Sequence, residues 1–165
     1  MNMTPPRNVI SKQDYYMYLA YMTAMRSKDP STQVGAIIVS NDNQPISSGY
    51  NGVPKQIKDD LVDWTRPNKY SFVHHAEDNA IWHAKGKDLT GSSMYVTMFP
   101  CKSCMLDIVR SGIYNVYYSG FGSKLLDESE IEKSKLIAEL GNVELIQYNQ
   151  NFDEIIQHFN KLKGT

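Results

Sequence analysis

The run SMYVTMFPCKSCMLDIVRSGIYNVYYS, residues 93–119, changes element type twice within a short span. Ser93 to Met98 reads as an apolar strand, Cys101 to Ser111 as a helix opened by Pro100, and Asn115 to Ser119 as a second strand. A strand, a helix and a strand in direct succession make a crossover unit, which is right-handed in nearly all proteins. This fixes the class as α/β. Upstream, Lys12 to Ser27 has helical spacing of Tyr15, Leu19, Met22 and Met25 behind an N-cap at Ser11, and Asp29-Pro30 ends it. Val34 to Val39 is a short β-branched run suited to a buried strand. The turn Asn41-Asp-Asn43 lets Pro45 to Gly49 pair back on it. His75 to Ala84 reads as a helix with Ala76, Ala80, Ile81 and Ala84 able to face a sheet. Downstream, Asp127 to Leu140 is an amphipathic helix capped by Gly141, Val143 to Tyr148 a strand, and Phe152 to Leu162 a final helix.

The order α-β-β-α-β-α-β-α-β-α predicts a three-layer α-β-α fold with a central mixed sheet of about five strands. One domain, residues 1–165, is expected from the length of 165 residues. Val53 to Phe72 stands apart as a connection with little periodicity. Loops longer than about 12–15 residues are commonly functional, and this one carries Trp64, Arg66, Lys69 and Tyr70.

Composition narrows the function classes. With 17 basic and 18 acidic side chains and a net charge of -1, a generally cationic nucleic-acid binder is excluded. No stretch is apolar for the roughly 20 residues of a spanning helix, and MNMTPPRN lacks a secretory core. The expectation is a soluble, intracellular, cytoplasmic protein with neither membrane nor nucleic acid as partner. The only cysteines are Cys101 and Cys104, too near each other to staple a fold.

Chemistry concentrates in His75-Ala-Glu77 and Pro100-Cys101-Lys-Ser-Cys104. Cysteines at i and i+3 on one helical turn reach a single metal ion, and a helix N-terminus favours their thiolates. His75 supplies a third ligand. Three protein ligands leave one tetrahedral position for water, the mark of a catalytic zinc. Two thiolates neutralise Zn²⁺, so its water is acidified less than in an all-histidine site, and an adjacent carboxylate is needed to take the proton. Glu77 is so placed. A redox CxxC is the competing reading, and a closed structural zinc would need His74 or His83 as a further ligand. His158 has no evident partner.

These motifs match the H-x-E…P-C-x-x-C signature of zinc deaminases. The chain resembles the zinc-dependent cytidine and deoxycytidylate deaminase family, and within it the deoxycytidylate (dCMP) deaminases. The resemblance spans roughly residues 12 to 148 and includes Arg26-Ser-Lys-Asp-Pro-Ser-Thr-Gln-Val-Gly-Ala36, Gly49-Tyr-Asn-Gly-Val-Pro54, His75-Ala-Glu-Asp-Asn-Ala80, Met94-Tyr-Val and Phe99-Pro-Cys-Lys-Ser-Cys104. The first two blocks, with the long insertion before His75, point to dCMP.

The resemblance implies one catalytic Zn²⁺ per chain on His75, Cys101 and Cys104, with Glu77 as the catalytic proton shuttle. Hydrolytic deamination of dCMP then yields dUMP, for thymidylate synthesis, and ammonia. Asn51 matches the position that binds the sugar hydroxyl, although Asn-Gly is also ordinary turn chemistry. Arg26 and Lys28 are the candidates for the 5′-phosphate, against a merely solvated helix end, with Lys124 as another source. Ala76 and Tyr118, the latter at the end of a strand, complete the expected substrate site. The family is usually hexameric, activated by dCTP and inhibited by dTTP with Mg²⁺. That places an effector site at Gly49, Tyr50, Gly52, Arg66 and Lys69. Some phage members hold a second, structural zinc in the insertion, which this chain does not support, having no further cysteine. Alternatives are deamination of cytidine, dCTP or tRNA adenosine, and a non-catalytic zinc-stabilised binding module.

Overall fold

The computed structural model describes residues 8–120 and 126–163, so Lys124 lies outside the described residues. The elements follow in the order α1 (Lys12–Ala24), β1 (Gly35–Val39), β2 (Pro45–Tyr50), α2 (Ala76–His83), β3 (Ser93–Val96), α3 (Lys102–Ser111), β4 (Asn115–Tyr118), α4 (Glu128–Leu140), β5 (Glu144–Gln147) and α5 (Phe152–Lys163). Two 3₁₀ turns, Asp59–Leu61 and Asn68–Ser71, interrupt the long connection between β2 and α2.

The sheet is mixed, with strand order β2-β1-β3-β4-β5. β1 pairs antiparallel with β2 and with β3, while β3, β4 and β5 run parallel. The parallel pair β3 and β4 is the strand–helix–strand run expected from residues 93–119, and β5 extends it. All five residues of β1 are buried, because a strand covered on both faces needs no polar side. Its alternation divides the interior. Ala36 and Ile38 join Met94, Val96 and Val116 beneath α2, α3 and α4, through Ala76, Ala80, Met105, Ile108 and Ala138. Ile37, Val39 and Tyr95 face the other way, onto Tyr16, Met17 and Ala20 of α1. The ring of Phe152 in α5 lies edge-on to Tyr21 of α1, with centroids 4.9 Å apart. Three layers result, as the sequence predicts.

One face differs from the expected periodicity. The buried side of α1 carries Tyr16, Met17, Ala20 and Ala24, whereas Tyr15, Met22 and Met25 are exposed. The reason is close approach. A Cβ on Gly35 would lie 2.0 Å from the Ala20 carbonyl oxygen and 2.5 Å from the Ala24 amide nitrogen. Only small side chains on α1 permit that distance, so alanines rather than the larger methionines define the contact.

The same device seats α2. A Cβ on Gly49 would lie 2.3 Å from both the Ala76 carbonyl oxygen and the Ala80 amide nitrogen. The first turn of α2 therefore rests directly on β2. Overpacking such a contact costs about 1–3 kcal/mol. Gly49→Ala is expected to lower stability by that amount in urea denaturation, and to loosen whatever the first turn of α2 holds.

Candidate metal centre and active site

His75 and Cys101 occupy equivalent places: each is the N-cap of its helix, α2 and α3 respectively, and neither side chain makes a capping hydrogen bond. Both side chains turn instead toward one point. His75 Nδ1 lies 3.2 Å from Cys104 Sγ and 3.5 Å from Cys101 Sγ, and the two sulfurs are 3.6 Å apart. Tetrahedral zinc with ordinary Zn–S and Zn–N bonds predicts ligand separations of about 3.8 Å for S···S and about 3.5 Å for N···S. The triangle fits that ion. Among the described residues it is the one cluster of three or more such side chains within metal-binding reach.

The charges suit a metal as well. Cys101 is brought down to about 3, chiefly by its hydrogen bond with Cys104, with His75 adding to it against burial. The hydrogen bond to Cys101 pushes His75 up to about 9, while burial opposes. Cys104 is raised by its hydrogen bond with Cys101 and by burial. Glu77 is 4% exposed in the first turn of α2. Burial pushes its carboxyl up to about 7, opposed by the positive charge on His75.

A cleft opens over this group. Its wall contains His75, Ala76, Glu77 and Cys101 together with Asn51, Asp29, Arg66, Lys69 and Tyr70. Asn51 and Ala76 thus line the same cleft as the metal ligands. Gly52 and His74 exchange two backbone hydrogen bonds of 3.1 and 2.9 Å, closing the long connection at its neck. His74 itself is exposed, and His83, also exposed, gives its ring N–H to the Ser48 carbonyl at 2.8 Å. Neither joins the metal triangle. His158, in α5, pairs with the Glu154 carbonyl at 3.0 Å.

Several expected positions are redistributed. Lys69, read as an effector ligand, is 3% exposed, lines the metal cleft and pairs with Asp29 at 2.6 and 2.8 Å. Burial alone would raise Asp29, but Lys69 and the Ser31 and Thr32 amides outweigh it and hold the carboxyl below its ordinary value. Arg66 also lines this cleft, donating to Thr32 Oγ1 at 3.1 Å. Lys28, read as a phosphate ligand, faces a second cavity instead, with Tyr50, Gly52, Lys55 and Trp64, and is ion-paired with Asp59. Arg26 is exposed and lines neither cavity. Tyr118 is outside the cleft wall and touches it through Phe99, edge to face at 4.9 Å. Gly49 is buried in β2 under α2 and lines neither cavity. Asp29, Tyr70 and Phe99 also line the cleft; the sequence reading gave none of them a role, although Asp29 lies in the Arg26 to Ala36 block, Phe99 in the Phe99 to Cys104 block and Tyr70 in the long loop.

Residues 10–120 match the family model for the cytidine and deoxycytidylate deaminase zinc-binding region. The chain is 37% identical to the deoxycytidylate deaminase of Mus musculus over 157 residues, covering 92% of this chain and 87% of that protein. The Homo sapiens deoxycytidylate deaminase is 36% identical over the same shares. The crystal structure of dCMP deaminase from the cyanophage S-TIM5, in complex with dCMP and dUMP, superposes with a TM-score of 0.64 at 27% identity. The match covers 82% of this chain and 96% of that one.

Purified protein is expected to carry about one zinc per chain, and Cys101→Ser to lose it, by elemental mass spectrometry. In the stripped protein Cys101 is a thiolate well below neutrality, so iodoacetamide should label it near pH 5, with added zinc protecting it. Two tightly held zincs per chain would contradict a single three-ligand centre.

Proposed function

The chain belongs to the zinc-binding cytidine and deoxycytidylate deaminase family, and from that premise we propose that it converts dCMP and water to dUMP and ammonia. The observation that carries this reading is the His75–Cys101–Cys104 triangle sharing one cleft with the buried carboxyl of Glu77. Extended identity to the mammalian deoxycytidylate deaminases supports the substrate. The product feeds thymidylate synthesis.

A zinc ion held by the triangle supplies a polarised water as nucleophile. Glu77 performs the proton work. Its carboxylate would accept one proton from that water and deliver it to N3 of cytosine, then accept the water's second proton from the hydroxyl formed at C4 and deliver it to the departing amino group, which leaves as ammonia. The sum is one water consumed and one ammonia released, with Glu77 regenerated. Burial keeps bulk water from short-circuiting the transfer. The first turn of α2 carries His75 and Glu77 together, so ligand and shuttle cannot drift apart.

The cleft also suggests how the nucleotide lies. Asn51 faces the sugar hydroxyl and Ala76 the base. Arg66, at the rim, is better placed for the 5′-phosphate than Arg26 or Lys28, because it lines the same cavity as Glu77. A guanidinium binds a phosphate through two parallel hydrogen bonds. The net charge of -1 argues against tRNA as substrate. An intact Glu77 argues against a zinc-stabilised binding module, which needs no shuttle.

The second cavity is the candidate for dCTP and dTTP control. Lys55 supplies positive charge for a triphosphate with Mg²⁺, Lys28 stands beside it in its ion pair with Asp59, and Tyr50 and Trp64 supply ring faces for a base. Exposed Met22, Met25 and Trp82 give apolar surface to a homo-oligomer, hexameric in this family. No described helix is long and apolar enough to cross a membrane. Free thiols committed to one metal favour the cytoplasm.

Glu77→Gln should retain zinc while losing about 10²–10⁴-fold in turnover, followed by ammonia release. Near-normal turnover would remove Glu77 from the mechanism. Arg66→Ala should raise KM for dCMP by about tenfold or more, the worth of a charged hydrogen bond, and leave turnover of deoxycytidine, which has no phosphate, unchanged. Lys55→Ala should keep basal dCMP turnover and abolish the response to both triphosphates. Hyperbolic wild-type kinetics indifferent to dCTP and dTTP would rule out regulation.

A further inference from the structure

His75 and Cys101 make no capping hydrogen bond, so their directions depend on the peptide planes that flank them. The later plane is fixed by the helix in each case. The His75 carbonyl accepts from the Asn79 amide at 3.1 Å, and the Cys101 carbonyl from the Met105 amide at 2.9 Å. The earlier plane is fixed from outside. The His74 carbonyl accepts from the Gly52 amide at 3.1 Å, backbone to backbone. The Pro100 carbonyl accepts from the Ser134 hydroxyl at 2.8 Å, and Ser134 belongs to α4. One vertex of the triangle is thus anchored by main chain, and another by a single side chain.

Ser134 is an unfavourable choice for its own helix. Serine is poorer than alanine in a helix interior, because its hydroxyl competes for backbone groups. Mid-helix serines commonly bond back to the carbonyl four residues earlier. Ser134 is fully buried, one turn before Ala138, yet its hydroxyl crosses to the entry of α3. Glu130, one turn earlier, pairs with Lys102, the first residue of α3. Pro100 is fully buried as well. A buried carbonyl without a donor is costly, so a Pro100 carbonyl deprived of the hydroxyl would turn toward another. That turn changes φ at Cys101, and with it the direction of Sγ.

We infer that Ser134 is a positioning residue for the metal centre: it acts through the Pro100 carbonyl to aim Cys101 Sγ at the ion. This rests on the reading of the His75–Cys101–Cys104 triangle as a zinc site, and not on which nucleotide is deaminated. Cys104, a turn inside α3 and fully buried, keeps its place without the hydroxyl. The loss falls on one thiolate.

The test is zinc affinity, measured on the full chain by competition with a chromophoric chelator. Wild type is compared with Ser134→Ala and with Ser92→Ala. Ser92 is the control, a buried serine whose hydroxyl donates to the Leu89 carbonyl at 2.5 Å, before β3 rather than after it. Removing a hydrogen-bonding group behind a metal ligand costs about 10–100-fold in affinity. Ser134→Ala should lose about that factor, while Ser92→Ala matches wild type. With cobalt in place of zinc, only Ser134→Ala should shift the sulfur-to-metal charge-transfer band. Ser134→Thr and Ser134→Val share one shape and differ in the hydroxyl, so the threonine variant should hold zinc more tightly. Wild-type affinity in Ser134→Ala, or equal affinities in the threonine and valine variants, overturns the inference. So does an equal loss in Ser92→Ala, which would mean general loosening. If no Ser134 variant folds, the bond serves the whole fold and the inference fails too. Wild type that holds no zinc overturns the metal reading itself. Wild type that holds zinc without deaminating dCMP overturns the proposed function and leaves this inference standing.

Discussion

The contact between Gly49 and the first turn of α2 is the constraint on which the site depends. The helix backbone lies where a side chain on β2 would otherwise be. Because the strand is fixed by its pairing with β1, the helix start has no freedom to slide or lift. His75 and Glu77 sit on that first turn, so their depth and direction follow from a missing Cβ on the preceding strand. The sheet then relates them to α3: β3 carries the chain to Cys101, and β3 lies one strand from β2, across β1. A three-point metal site is thus assembled from two helix starts whose separation is set by strand spacing. Cavity-filling at Gly49 would move one vertex of the triangle and leave the other two in place.

Local stability is given up to make that site. An N-cap usually carries a side chain that bonds back to the helix, and the structure has such caps at Ser11 and Asp127. At α2 and α3 the same positions are held by His75 and Cys101, which leave the first turns uncapped. Omitting a cap costs about 1 kcal/mol. The positive ends of both helices meet at the cluster, where a thiolate returns favourable electrostatics. The local rule that is broken marks the functional place.

Much of this was legible in the residues themselves. Period and punctuation predicted each strand and helix, and 93–119 alone determined the parallel pair of β3 and β4. The metal ligands and Glu77 were legible because their chemistry demands fixed spacing along single helical turns. The buried face of α1 was not. Hydrophobicity favours Met22 and Met25, but the helix packs by its alanines, and close approach at Gly35 has no hydropathy signal. The directions of the cations were not legible for a related reason. Arg26, Lys28, Arg66 and Lys69 lie on loops, where sequence position does not predict direction. Only the folded chain reveals that Lys69 turns inward to Asp29 while Lys28 turns out to Asp59.

The neck between Gly52 and His74 has an evolutionary meaning. A segment whose two ends are hydrogen-bonded neighbours imposes nothing on the sheet it leaves and rejoins. Lengthening such a loop costs only a logarithmic increment of closure entropy, so insertions and deletions there are thermodynamically cheap. Lineages can therefore exchange the whole excursion as a cassette. The scaffold would retain its chemistry at the metal while acquiring a different roof, and with it a different preference for what lies under the roof. Divergence in substrate range among proteins of this architecture should concentrate between those two residues, and descent should be read from the strands and helices outside them.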